Sequence, residues 1–264
     1  MKISIATVDS FTSQAFSGNP AGVVLLEEEL SPDQMQSIAM EMNLSETAFV
    51  QKTDKPNQFN LRWFTPTLEI DLCGHATLAS AFWMLRSGWA REGERMHFST
   101  KSGELIVRSI GEKLEMNFPL IPTKHKSHPH FSHEFMGSAV VNSAELKKNW
   151  ILELGSAKEV QECEPDFLEI AKHSEEGIII TAQGVKGYDI YSRFFGPNVG
   201  VPEDPVTGFA HCALMDYWSK KTGKTLLKAF QASKRGGEME IEKVEDRVMI
   251  RGKAVGVMQG IMEF

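Results

Sequence analysis

Leu72-Cys73-Gly74-His75-Ala76-Thr77-Leu78-Ala79 has a counterpart later in the chain, Val206-Thr207-Gly208-Phe209-Ala210-His211-Cys212-Ala213. Gly74, Ala76 and Ala79 fall on Gly208, Ala210 and Ala213 at a constant offset of 134. Ser99, Gly103 and Glu104 fall on Ser233, Gly237 and Glu238 at the same offset. Upstream, Arg62-Trp63-Phe64-Thr65-Pro66 pairs with Arg193-Phe194-Phe195-Gly196-Pro197 at an offset of 131, so a three-residue insertion reconciles the two copies. Order, spacing and flanking aromatics agree, which argues for a duplicated unit. Unlike polar residues on a repeated scaffold lead us to expect one site built from both halves.

Working outward, residues 2–9 and 22–26 read as strands, with Phe16-Ser17-Gly18-Asn19-Pro20 as a loop between them. Ser31 is an N-cap, Pro32 takes the first helical position, and Met35, Ile38, Ala39 and Met42 recur at helical spacing until about Asn43. Thr47–Lys52 and Asn60–Phe64 are extended. His75 to about Arg86 is a helix apolar on most sides, hence buried. Strands follow at Glu104–Val107 and Lys113–Phe118. The second copy repeats the order: a helix from about Phe209 to Lys220, then strands near Glu238–Glu242 and Arg247–Arg251. Each half is thus several strands and one apolar helix, and the economical packing wraps a sheet around that helix. The expected domains are 1–120 and 121–264, with the last residues free to cross back to the first.

The bulk of the 264 residues is that of a globular protein, 42% apolar and 24% charged. A net charge of -7 argues against a nucleic-acid partner, which needs a concentrated basic surface. Neither a signal peptide nor a membrane-spanning apolar run is expected, so the reading is cytoplasmic with no membrane partner. Three cysteines, Cys73, Cys163 and Cys212, show no disulfide framework and no metal spacing. His125, His128, His130 and His133 crowd a Pro- and Ser-containing stretch without regular ligand spacing, and no metal site is read there.

Several residues could carry chemistry. Gly74 and Gly208 each precede a helix whose first N–H groups and positive end suit a carboxylate or phosphate. Singly, each is also an ordinary turn; as a pair they suggest an anion site. Glu46, between Leu44 and the apolar Ala48–Val50, is either a partly desolvated base or an exposed strand-start residue. His75 sits where the helix terminus disfavours the imidazolium, so a neutral ring that relays a proton or caps the helix is expected. Asp204, before a proline, is an acid, an orienting group or a turn residue. Cys73 could be activated by the helix start, whereas Cys212 reads as core.

These segments give the chain a family resemblance. Phe16-Ser17-Gly18-Asn19-Pro20-Ala21, Asn43-Leu44-Ser45-Glu46-Thr47-Ala48-Phe49, Phe64-Thr65-Pro66, Cys73-Gly74-His75-Ala76-Thr77-Leu78, Glu203-Asp204-Pro205-Val206-Thr207-Gly208 and the later Arg235-Gly236-Gly237-Glu238 resemble the PhzF family, named for a phenazine-biosynthesis isomerase. The resemblance covers nearly the whole chain. It implies an α+β fold of two pseudo-symmetric β-barrel domains, each around a central helix, as in diaminopimelate epimerase. It implies a homodimer and cofactor-independent proton transfer, with Glu46 as the shuttle and His75 and Asp204 beside it. Asn19, Gly74 and Gly208 then fall among the substrate-binding positions. One position departs: the family has serine where this chain has Phe209. That removes a hydroxyl, worth about 1 kcal/mol as a hydrogen bond, and adds an aromatic ring.

The leading expectation is therefore an isomerase moving a proton between carbons of a small anionic carboxylate, with no cofactor and no metal. Two alternatives stand beside it. One is a small-molecule-binding protein in which Phe209 has altered catalysis. The other is an epimerase that uses a thiol base at Cys73.

Overall fold

The computed structural model describes all 264 residues. By contacts the chain divides into two units, Met1–Asn117 with Ile250–Phe264, and Phe118–Met249. The first half of the sequence forms β1 (Lys2–Ser10), β2 (Asn19–Leu26), α1 (Pro32–Met42), β3 (Glu46–Lys52), β4 (Gln58–Phe64), β5 (Glu69–Ile70), α2 (Gly74–Arg86), β6 (Arg95–Thr100), β7 (Gly103–Ile110) and β8 (Lys113–Pro119). Then come β9 (Lys124–His125), β10 (Glu134–Phe135), β11 (Ser138–Leu146), β12 (Asn149–Leu154), α3 (Ala157–Glu162), α4 (Phe167–His173), β13 (Gly177–Gln183) and β14 (Ile190–Gly196). The chain finishes with β15 (Val201–Asp204), α5 (Gly208–Thr222), β16 (Leu226–Gln231), β17 (Gly237–Val244), β18 (Arg247–Gly252) and β19 (Ala254–Glu263). No helix is long and apolar enough to cross a membrane.

The duplication read from the sequence is present in the strand pairing. In the first unit β1 and β2 are antiparallel, β2 and β3 parallel, β3 and β4 antiparallel, β4 and β6 parallel, and β6 and β7 antiparallel. In the second, β11 and β12 are antiparallel, β12 and β13 parallel, β13 and β14 antiparallel, β14 and β16 parallel, and β16 and β17 antiparallel. A parallel pair needs a crossover between its strands. α1 makes it between β2 and β3, and α2 between β4 and β6; α3 with α4, and then α5, do so in the second unit. The fold is thus a mixed, sheet-dominated one with few helices. The last strand returns to the first, β19 pairing antiparallel with β1, and β18 pairs with β8.

Local chemistry explains the helices that matter. Ser31 accepts from the Gln34 N–H while the Gln34 side chain accepts from the Ser31 N–H, a complete capping box, and Asn43 ends α1 in the left-handed region. α2 packs against β1, β2, β3, β7 and β19. It is buried from His75 through Ala81 and again at Trp83 and Met84. Its buried hydroxyls are satisfied within the helix: Thr77 Oγ1 donates to the Cys73 carbonyl (2.5 Å) and Ser80 Oγ to the Ala76 carbonyl (2.7 Å). α5 is buried from Ala210 through Trp218. Ile3, Ile5, Val24, Leu26, Leu30, Met35 and Phe49 make a core around α1, and a Phe135, Leu152, Ile178, Ile180 and Phe195 cluster makes one in the second unit.

Candidate active site

The end of β1, the start of β2, the start of β3 and the start of α2 meet at His75. Ser10 pairs with Asn19 across β1 and β2, so the intervening loop must turn back tightly. Gly18 makes that possible: its φ is +66°, and a Cβ there would lie 2.1 Å from the Ser10 carbonyl oxygen. The Phe16 N–H donates to Asp9 Oδ2 (2.7 Å) and pins the loop. Parallel pairing of β2 and β3 then sets Glu46 opposite Ala21, two residues beyond Asn19.

Around the imidazole, Asn19 Nδ2 lies 3.1 Å from His75 Nδ1 and Cys73 Sγ lies 3.4 Å from the same nitrogen. Glu46 Oε2 is 3.0 Å from Nε2. That is the distance of an ion pair between the carboxylate and a protonated ring. Ser10 Oγ donates to the His75 carbonyl (2.7 Å), which anchors the backbone of the first helical turn. Asn19, Cys73 and His75 are buried, and Glu46 retains only 9% of its surface.

Burial is the largest single influence on His75 and opposes the imidazolium. Negative charge on Cys73, negative charge on Glu46 and hydrogen bonds to both act the other way and prevail, so His75 titrates well above its ordinary value. Cys73 is itself pushed up to about 11, by burial first and the Glu46 charge second. Near neutral pH Cys73 is therefore a thiol. The helix terminus opposes the imidazolium, while the neighbouring Glu46 carboxylate favours it. The donor atoms of Glu46, Cys73 and His75 lie within 4.8 Å of one another, a spacing that could accept a metal ion once the thiol is deprotonated.

α2 starts without a side-chain cap at Cys73, and α5 starts without one at Thr207. Thr207 instead donates its hydroxyl to Asp204 Oδ2 (2.7 Å). Gln231 braces the second helix start: its Oε1 accepts from the Thr207 N–H (2.8 Å), and its Nε2 donates to the Asp204 carbonyl (2.7 Å). His211, pushed down to about 4 by burial, is a neutral residue whose Nδ1 donates to the Thr207 carbonyl (2.7 Å). It occupies the repeat position of Thr77, which bonds the Cys73 carbonyl in the same way. Gly208 is buried and Phe209 half-buried on the first turn of α5.

A further pair is repeated. Arg62 on β4 forks onto Glu69 on β5 (2.8 and 2.9 Å), and Arg193 on β14 forks onto Glu203 on β15 (2.7 and 3.0 Å). The Arg62 fork, helped by Lys101, holds Glu69 down at about 2. Each fork fixes the short strand that leads into a helix start. Of the residues expected from the sequence, Asn19, Glu46, Gly74 and His75 come together in the first unit, and Asp204, Gly208 and Phe209 stand at the α5 start in the second. Sequence reading missed Ser10 and Gln231, because each acts across a long loop with no local motif. Arg62 and Arg193 were visible in the repeat, and the acidic partners at Glu69 and Glu203 were the signal that could have disclosed the forks.

A family profile described as phenazine biosynthesis-like protein (PhzC-PhzF) matches residues 8–260. The chain is 41% identical over 261 residues to an uncharacterized isomerase of Halalkalibacterium halodurans, covering 98% of each. It is 42% identical over 293 residues to the phenazine biosynthesis-like domain-containing protein of Homo sapiens, covering 99% of each. The crystal structure of a PhzF-family protein from Enterococcus faecalis superposes with a TM-score of 0.93 at 38% identity, covering 100% of both chains. The chain belongs to the PhzF (phenazine biosynthesis-like) family.

Proposed function

We propose that this protein is a cofactor-independent isomerase that moves a proton between two carbons of a small carboxylate substrate, working as a homodimer. The observation that carries the reading is the Glu46 carboxylate, buried and set 3.0 Å from His75 Nε2 beside the uncapped start of α2. A desolvated carboxylate can take a proton from carbon and return it elsewhere without net redox change. His75 places a polarised N–H against Glu46 and steadies the carboxylate when it is charged. The first N–H groups of α2, at Gly74 and the residues after it, suit the substrate carboxylate and the charge that develops as the C–H bond breaks. Asn19, whose amide lies against the other face of the His75 ring, fixes that ring and contacts substrate. On the second unit we assign substrate contact to Asp204, held by Thr207, and to the Gly208 helix start. Phe209, in place of the family's serine, excludes substrates that need a hydroxyl partner there. The names of the relatives support an isomerase. The raised thiol of Cys73 weighs against a thiolate base.

The test is solvent deuterium exchange into a panel of small unsaturated and hydroxylated carboxylic acids, read by mass spectrometry. Wild-type protein should label at least one acid, and Glu46→Gln should slow that labelling by about a hundredfold or more. Unchanged labelling by a folded Glu46→Gln variant would remove Glu46 from the chemistry.

A further inference from the structure

Outside that site, the second unit brings together three metal-binding donors. His130, in the segment between β9 and β10, has its Nε2 3.2 Å from Glu169 Oε1, and His173 has its Nε2 3.1 Å from the same oxygen. The two imidazoles stack nearly parallel, with 3.6 Å between centroids and 6° between planes. All three donor atoms lie within 4.8 Å of one another. We propose that His130, Glu169 and His173 form a binding site for a divalent transition metal of the zinc type, which clamps the segment before β10 onto α4.

The donor chemistry and the spacing both fit. Two imidazole nitrogens and a carboxylate oxygen suit zinc, nickel or copper(II) rather than calcium or magnesium. Metal–ligand bonds of about 2.0–2.1 Å in a tetrahedron put neighbouring donors about 3.3 Å apart, close to the two nitrogen–oxygen distances found. The ion replaces the protons at both Nε2 atoms, and the rings open slightly from their stack so that both lone pairs converge. Both rings keep enough exposure to turn, 45% for the His130 side chain and 32% for His173. Water completes the coordination.

The site is also organised in advance. His128 is buried, and its Nδ1 accepts the N–H groups of His130 (3.1 Å) and Phe131 (3.0 Å), which fixes the backbone carrying His130. Phe131 sets its ring edge-on to both His130 and His173. Glu169 and His173 lie one helical turn apart on α4, so they share a face. Lys172 bonds Glu169 Oε2 (3.0 Å), which leaves Oε1 turned toward the imidazoles. In the sequence the four clustered histidines carry no ligand spacing because their partners lie about forty residues further on.

Metal-free full-length protein is titrated with zinc chloride against a chromogenic chelator, with nickel chloride in parallel. Cys73→Ala is run alongside, so that the Glu46, Cys73 and His75 set does not contribute to the stoichiometry. One zinc per chain is expected in that variant. His130→Ala and His173→Gln should each weaken binding about tenfold or more, since even outer-shell changes cost a metal site that much. Zinc should raise the melting temperature of wild-type protein and leave that of folded His130→Ala unchanged. Absence of zinc binding, or binding and thermal shifts indifferent to both histidine substitutions, would overturn the assignment.

Discussion

Asp216, on the buried face of α5, offers a measure of how the second unit is tied together. It is 3% exposed, and its Oδ2 accepts from the Thr123 N–H (2.7 Å), the Thr123 hydroxyl (2.8 Å) and Lys220 Nζ (2.6 Å). Replacing it with alanine leaves a buried backbone N–H without an acceptor, which costs about 1–3 kcal/mol, and removes a hydroxyl hydrogen bond worth about 1 kcal/mol. The Lys220 side chain is 54% exposed and is rehydrated, so its share is below about 1 kcal/mol. The expected loss is about 3 kcal/mol, or about 6–12 °C in melting temperature for a chain of this size. Urea unfolding at pH 7, with midpoint and slope compared, reads it directly. Burial works against ionised Asp216, but the Lys220 and Thr123 hydrogen bonds prevail and hold it below its ordinary value. A depressed folded-state value means the stabilisation is complete above the unfolded value of about 3.9 and is lost as pH falls below it. The gap between wild type and Asp216→Ala should therefore narrow as pH falls below about 3.9. A loss under about 0.5 kcal/mol at pH 7, or one that persists undiminished at pH 3, would refute the reasoning.

Three other outcomes are expected. His211, neutral and fully buried with a value near 4, lets the unfolded chain take up a proton first; stability should fall by up to about 3 kcal/mol as pH drops from about 6.5 to 4. His211→Gln should flatten that slope in thermal scans. The thiols of Cys73, Cys163 and Cys212 are pushed up to about 11, 11 and 12, each chiefly by burial, so iodoacetamide at pH 8 should label only urea-unfolded protein. Rapid labelling of native Cys73 would restore the thiolate reading. A Cβ on Gly22 would sit 2.8 Å from Thr47 Oγ1, next to Glu46 on the paired strand. Gly22→Ala should cost about 1–3 kcal/mol by overpacking and slow deuterium exchange, and Thr47→Ala should restore both.

What the sequence disclosed follows from the range of the interactions involved. α1 was legible because Ser31, Pro32 and the helical spacing of Met35, Ile38, Ala39 and Met42 are local signals. The duplication was legible because small residues at a helix start recur with their spacing intact. Glu46, His75 and Asn19 could be grouped because each lies in a distinctive segment. By contrast α3 and α4, of six and seven residues, are too short to show helical periodicity, and β13 is one buried apolar run. The pairing of the last strand, β19, with the first, β1, was not legible, because side-chain pattern does not encode which distant strands meet. The groups that act on His75 differ in legibility for a similar reason. The helix terminus is visible in sequence, while the carboxylate facing the ring depends on strand register.

The forked pairs Arg62–Glu69 and Arg193–Glu203 bear on descent. Two copies that now differ at nearly every polar position of their helix starts still share the same arginine and the same acid on paired strands, although three more residues separate them in the second copy. The anchoring was in place before the copies diverged, and the chemistry changed afterwards on a frame that stayed put. An engineer who wished to give the second helix start a new reactivity could therefore rewrite residues 204–211 while leaving Arg193 and Glu203 untouched.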